Sequence, residues 1–127
     1  MSKSSFHILR VGLAITFIWI GVLILKDPES WGGYVQPWVI KLLPFSVSQA
    51  LLCTAVLDIF IGILFLIDWQ IWLAGFLGTL HLVIVLTVSG ITDITVRDIG
   101  LLAGCVAIMV ESGPLYIKNY FQKIKNN

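Results

Sequence analysis

The chain has 127 residues, 58% of them hydrophobic and 12% charged, with a mean hydropathy of +0.99 and a net charge of +1 at pH 7. Soluble globular domains carry about 25% charged residues, so a water-soluble domain is excluded. The near-neutral balance excludes a nucleic-acid surface, which needs clustered Lys and Arg.

Taken from the N-terminus, Lys3 and Arg10 lead an apolar run that ends at Leu25. The start resembles a signal peptide, but no small-x-small cleavage site comes after it, and the run closes on Lys26-Asp27-Pro28-Glu29. It reads as an uncleaved first transmembrane helix over about residues 8–25. A bilayer core asks for about 20 mostly apolar residues per helix, and three further stretches approach that: about 49–67, 71–90 and 97–117. The expected architecture is a single all-α domain over residues 1–127, an antiparallel four-helix bundle in the lipid bilayer.

Between the first two spans, "DPESWGGYVQPWVIKLLPF" is neither a short loop nor a span. Asp-Pro-Glu is a good helix start with proline at the first helical position, and Pro37 breaks that helix. One or two short amphipathic helices are expected over the outer mouth of the bundle, as a cap on helix ends or as a lid over a cavity. Only Asp68-Trp69-Gln70 separate the second and third spans, which forces a tight antiparallel hairpin. The fourth opens on Thr95-Val-Arg-Asp98, a capping-box-like start, and Gly113-Pro114 marks a kink or stop near its end.

The lysines and arginines favour both termini inside. That side then holds Lys3, Arg10, Lys118, Lys123 and Lys125, against Lys26, Lys41 and Arg97 outside. Trp31, Tyr34 and Trp38 fall at the outer interface, and Trp69 and Trp72 at the inner one.

Asp58 lies deep in the second span, where a charged side chain costs roughly 2.5–3.5 kcal/mol on insertion scales. In an antiparallel hairpin, residues equidistant from the turn share a depth. Asp58 precedes the centre of the turn by about as much as His81 comes after it, which puts both roughly 17 Å from the turn at 1.5 Å per residue. Thr54, Ala55 and Gly62 on one helix, and Ala74 and Gly78 on the other, make faces that permit close approach. Asp58, His81, Thr54 and Gly78 are therefore the candidate pocket, read either as polar groups that set helix register or as a proton- or ligand-handling site. Gly100, Gly104, Ala107 and Glu111 form a stripe on the fourth span whose GxxxG suggests close packing. Arg10 and Glu111 should share a depth at the inner end, as an ion pair unless Arg10 snorkels to the headgroups. Asp93 and Arg97, four apart, suggest a surface pair of little energetic weight. Cys53 and Cys105 form no CxxC and read as packing residues.

Arg10, "FIWIGVLIL" with Gly21, "DPESW…VQPWVIKLLP", "AVLDIFIGILFLI" and "RDIGLLAG" together resemble the DoxX family and its DoxX-like relatives over roughly residues 8–110. Those proteins commonly carry an acidic residue, usually glutamate, where Asp58 stands one methylene shorter. Ile24 stands near the position of a lysine frequent in the family, so that role is not carried over. The resemblance implies a four-helix protein of a bacterial or archaeal inner membrane. Some relatives are subunits of thiosulfate:quinone oxidoreductase or of complexes linked to thiol stress. It therefore implies a quinone as the cofactor class and a redox protein as partner; a proton-coupled binder or transporter and a purely structural subunit are the alternatives, and a homo-oligomer is a further partner. A bis-histidine haem is not expected, because His7 and His81 sit at different depths. No Gly-rich nucleotide loop and no metal-ligand cluster is present in the sequence.

Overall fold

The structure, a computed structural model, describes residues 1–126, with the side chains of all but residues 115–117. Every regular element among the described residues is a helix: α1 (Lys3–Lys26), α2 (Pro28–Gly32), α3 (Pro37–Leu42), α4 (Val47–Leu66), α5 (Ile71–Ser89), α6 (Val96–Ser112) and α7 (Leu115–Lys125). Three of them, α1, α4 and α5, are long and apolar enough to cross a membrane. Helix α6 has 17 residues, about 25 Å at 1.5 Å each.

The helix ends arise from local chemistry. Ser2 caps α1, accepting a hydrogen bond from Ser5 N at 3.1 Å. Asp27 then caps α2 with Pro28 in its first turn, as the Asp-Pro-Glu signature predicts. Ser46 and Gln49 make a reciprocal capping box at the head of α4. The hairpin between α4 and α5 is tight enough to force Asp68 and Gln70 into positive φ (58° and 49°).

Two expectations for helix ends are corrected. Thr95 does not cap α6 with its side chain. Its hydroxyl is engaged in the preceding turn, donating to Gly90 O at 2.6 Å and accepting from Thr92 N at 2.7 Å. The fourth apolar stretch does not continue to residue 117. Gly113 leaves the helix in an extended conformation before Pro114, and a separate helix, α7, begins there.

Helix α1 packs along α4 and α5 along α6, while α4 meets α5 and α1 touches α6. Small residues set the two long contacts. A Cβ on Gly21 would stand 2.8 Å from Ala55 O, and one on Gly62 would stand 3.0 Å from Ala14 O. On the other side, Gly75 lies against the backbone of Cys105 and Met109. Gly104 faces Leu9 and Leu13 of α1, whereas nothing lies within 4 Å of Gly100, so the GxxxG does not pack as a unit. Between the helices sits a core that includes Leu13, Phe17, Ile61, Phe65, Leu82 and Ile108, with the Phe17 and Phe65 rings 6.1 Å apart. Large apolar side chains also point outward on α1, α4 and α5, including Ile15, Trp19, Val56, Phe60 and Leu80. A helix apolar on its inner and outer faces belongs in lipid.

Candidate functional site

Asp58 on α4 and His81 on α5 come together across the hairpin. His81 Nε2 lies 2.8 Å from Asp58 Oδ1, and the two residues are 4% and 7% exposed, so neither faces lipid. Their level is set by the short turn, which makes sequence distance from Trp69–Gln70 a measure of depth. Gly21 lets α1 pack against α4 at the same level, where an added Cβ would come within 3.3 Å of Asp58 Cβ. A carboxylate held away from water costs several kcal/mol unless it is paired and hydrogen-bonded. His81 supplies that pairing. With Nε2–H donated to Asp58, Nδ1 is the ring atom left to accept a hydrogen bond from a ligand, or to donate one when the ring is protonated.

The pair lies at one end of a cavity of about 260 Å³. Apolar residues of α1, α4, α5 and α6 wall it, among them Phe17, Ile20, Leu51, Val85 and Leu101. Trp31, Tyr34, Val35, Val39 and Leu43 of the α2–α3 segment line it from above. That segment is tied to α5 by Gln36 N donating to Val88 O at 3.1 Å. Gly90 (φ 70°) keeps room for the Gln36 side chain, whose Nε2 would stand 2.5 Å from an added Cβ. The expected outer amphipathic segment is thus two short helices that form one wall of the cavity.

Of the other candidates, Thr54 lines the cavity, with its hydroxyl donated to Ala50 O at 3.1 Å. Gly78 lies off it. An added Cβ there would meet Cys105 Sγ at 2.8 Å, so Gly78 serves the α5–α6 contact and not the pocket. The Arg10–Glu111 ion pair does not form. Arg10 Nη1 donates to the carbonyls of Phe65 and Leu66 at the C-terminus of α4, and Nε sits 3.6 Å from Asp68 Oδ1. Glu111 instead pairs with the Met1 ammonium at 3.3 Å, because α1 begins at Lys3 and brings the chain terminus to the end of α6. Asp93 and Arg97 do not come within ion-pair distance either. Asp93 precedes α6 in a turn, where the four-residue spacing of a helix does not apply. Cys53 is exposed, and Cys105 is buried against Gly78; both are free thiols.

One site residue escapes the sequence reading. Asp98, read there as part of a helix cap, is 8% exposed and lines the cavity with Thr95 and Arg97. Its carboxylate has no hydrogen bond or ion pair among the described residues. The signal for it is an acid in the first turn of α6, on the α2–α3 side of the Asp58–His81 level. The cavity therefore holds one carboxylate–imidazole pair at depth and one free carboxylate nearer its α2–α3 end. Among the described residues, no group of three or more His, Cys, Asp or Glu side chains could hold a metal ion. Compared with known proteins, the chain matches no family model, no curated protein and no solved structure.

Proposed function

We propose that this chain is a DoxX-like four-helix antiparallel protein of the inner membrane, with both termini inside, whose cavity binds a quinone-class ligand for an oxidoreductase partner. The observation that carries the reading is the Asp58–His81 contact, 2.8 Å long, at the end of a mainly apolar cavity of about 260 Å³. An apolar cavity of about 150 Å³ accommodates benzene, so this one suits a substituted ring. Mainly apolar walls with a few placed polar groups are what a small ligand's body and head require. A quinone bound there would supply the electron-accepting carbonyls. The chain's own part would be to orient one quinone carbonyl oxygen at His81 Nδ1, to deliver a proton from that nitrogen of the protonated ring, and to stabilise that imidazolium through Asp58.

The fourth crossing in this reading is α6, whose 17 residues stand at the lower bound of about 17–25 for a transmembrane helix. Support for the bundle comes from the closed circuit of contacts through α1, α4, α5 and α6. A second reading, a proton-coupled small-molecule binder or carrier, is favoured by Asp98. Its free carboxylate lies toward the outer end of the cavity, beyond the buried pair, as a proton path to the outer surface would need.

The test is titration of the purified protein with a short-chain naphthoquinone, monitored by quenching of tryptophan emission, since Trp31 lines the cavity. Saturable quenching is expected in the wild type, with affinity falling at least about tenfold in His81→Gln, the loss expected when one hydrogen bond to a charged group goes. Absence of saturable quenching, together with unaltered quinone-dependent electron transfer in membranes lacking the protein, overturns the quinone reading. Uptake that tracks a proton gradient and disappears in Asp98→Asn would establish the carrier instead.

A further inference from the structure

The C-terminal helix answers to none of this chemistry. Helix α7 (Leu115–Lys125) begins after Pro114 has ended α6, and it carries Lys118, Lys123 and Lys125 with no acidic residue. At 100° per residue, Tyr120, Ile124 and Phe121 fall on one arc, and Lys123 stands on one flank of it with Lys118 and Lys125 on the other. Tyr120, Phe121 and Ile124 are 64%, 47% and 56% exposed, so the apolar arc is not spent on packing against the rest of the protein. Its place is also defined. Glu111, one turn before Pro114, touches the Met1 ammonium, and Gly113 abuts Trp72 at the start of α5. Helix α7 therefore starts at the end of the molecule that holds the N-terminus and the α4–α5 hairpin, away from the cavity's α2–α3 cover. The acids at that end are already engaged, Glu111 by the ammonium and Asp68 beside Arg10.

We infer that α7 lies in the plane of the bilayer the protein spans, its Tyr120–Phe121–Ile124 arc among the acyl chains and its three lysines on anionic phospholipid headgroups. Charge complementarity selects this occupant. An exposed apolar arc alone would suit a protein partner equally, but lysines on both flanks and no acid match a surface of diffuse negative charge. Long lysine stems allow the arc to sink while the ammonium groups remain at headgroup level. The lysines should make the docking selective for anionic lipid, each contributing about fivefold.

Hydrogen exchange on the full-length protein in lipid nanodiscs tests this. One set of discs is pure phosphatidylcholine, and in the other a third of the lipid is phosphatidylglycerol. Amides of α7 are expected to exchange at least about tenfold more slowly in the anionic discs, as several lysine contacts imply. The amides of α4 and α5 serve as an unchanged internal reference. The difference should vanish in Lys118→Gln/Lys123→Gln/Lys125→Gln, a surface variant that leaves the bundle intact. Equal exchange in both lipids overturns the proposal, and so does slowing that persists in the lysine variant. Protection that scales with the number of protein copies per disc, independent of lipid charge, would assign the arc to a second copy and also overturn it.

Discussion

Asp58 and His81 depend on each other because both are buried and, among the described residues, neither side chain has another hydrogen-bond partner. Removing one leaves the other buried and unpaired; removing both leaves a small apolar gap. The pair is therefore expected to show a coupling free energy of about 0.5–2 kcal/mol in a double-mutant cycle of Asp58→Ala and His81→Ala. Reversible unfolding in mixed micelles would measure it, and additive single-mutant costs would mean that the contact has no energetic role. This pair is legible in the sequence because a short hairpin turns sequence distance into depth. Asp98 is not legible by that rule. Its level depends on how far the Gly90–Thr95 connection carries the chain before α6 starts, and the Thr95 hydroxyl, bonded to Gly90 O at 2.6 Å, shapes that turn instead of capping the helix. The sequence leaves Arg10 either a carboxylate on α6 or the headgroups as partner, yet it finds backbone carbonyls at the end of α4, which are orphaned at any helix C-terminus and have no sequence signature.

At the scale of elements, glycines with the same helical setting have unequal roles. Gly21 and Gly62 sit where α1 and α4 approach so closely that an added Cβ would reach 2.6 Å from an isoleucine side chain and 2.8–3.0 Å from a carbonyl oxygen. Backbone cannot give way as a side-chain tip can, so Gly21→Val should force the helices apart at the level of Asp58. A loss of about 1–3 kcal/mol is expected, the usual cost of overpacking, together with weaker ligand quenching. Gly100 has nothing within 4 Å, so Gly100→Ala should stabilise α6 by about 0.5–1 kcal/mol, the helical difference between the two residues. Thermal unfolding of both variants in one detergent checks the contrast, and equal responses would refute the packing assignment. Span positions are readable to within a few residues from apolar runs and from Asp27-Pro28. Which glycines touch a neighbour is not readable, because small residues line these helices on several faces and only the packing decides among them. The amphipathic character of α7 is likewise hidden, since a basic tail and a basic helix differ only in periodicity over 11 residues.

For the whole molecule, two features bear differently on how many times the chain crosses the bilayer. By length and composition three helices, α1, α4 and α5, suffice to cross, which would leave the two termini on opposite sides. The contact of 3.3 Å between the Met1 ammonium and Glu111 Oε1 joins the start of α1 to the end of α6, as the proposed even number of crossings would place them. Reading α6 as the fourth crossing reconciles them. Its apolar middle, Ile99 to Val110, is flanked by Arg97 and Asp98 at one end and Glu111 at the other, so the charged groups stand near the two interfaces or face the cavity. The short length is relieved because such a helix can thin the bilayer or let flanking residues snorkel at modest cost. A fluorescent-protein fusion that folds only in the cytoplasm should report from either terminus, and an alkaline phosphatase sandwich fusion between Gly33 and Tyr34, at the exposed turn before α3, should be active. Activity of the phosphatase at the C-terminus with fluorescence at the N-terminus would leave α6 on the surface. The cavity's α6 wall, with Thr95, Arg97, Asp98 and Leu101, would then lie at the membrane face and not within it.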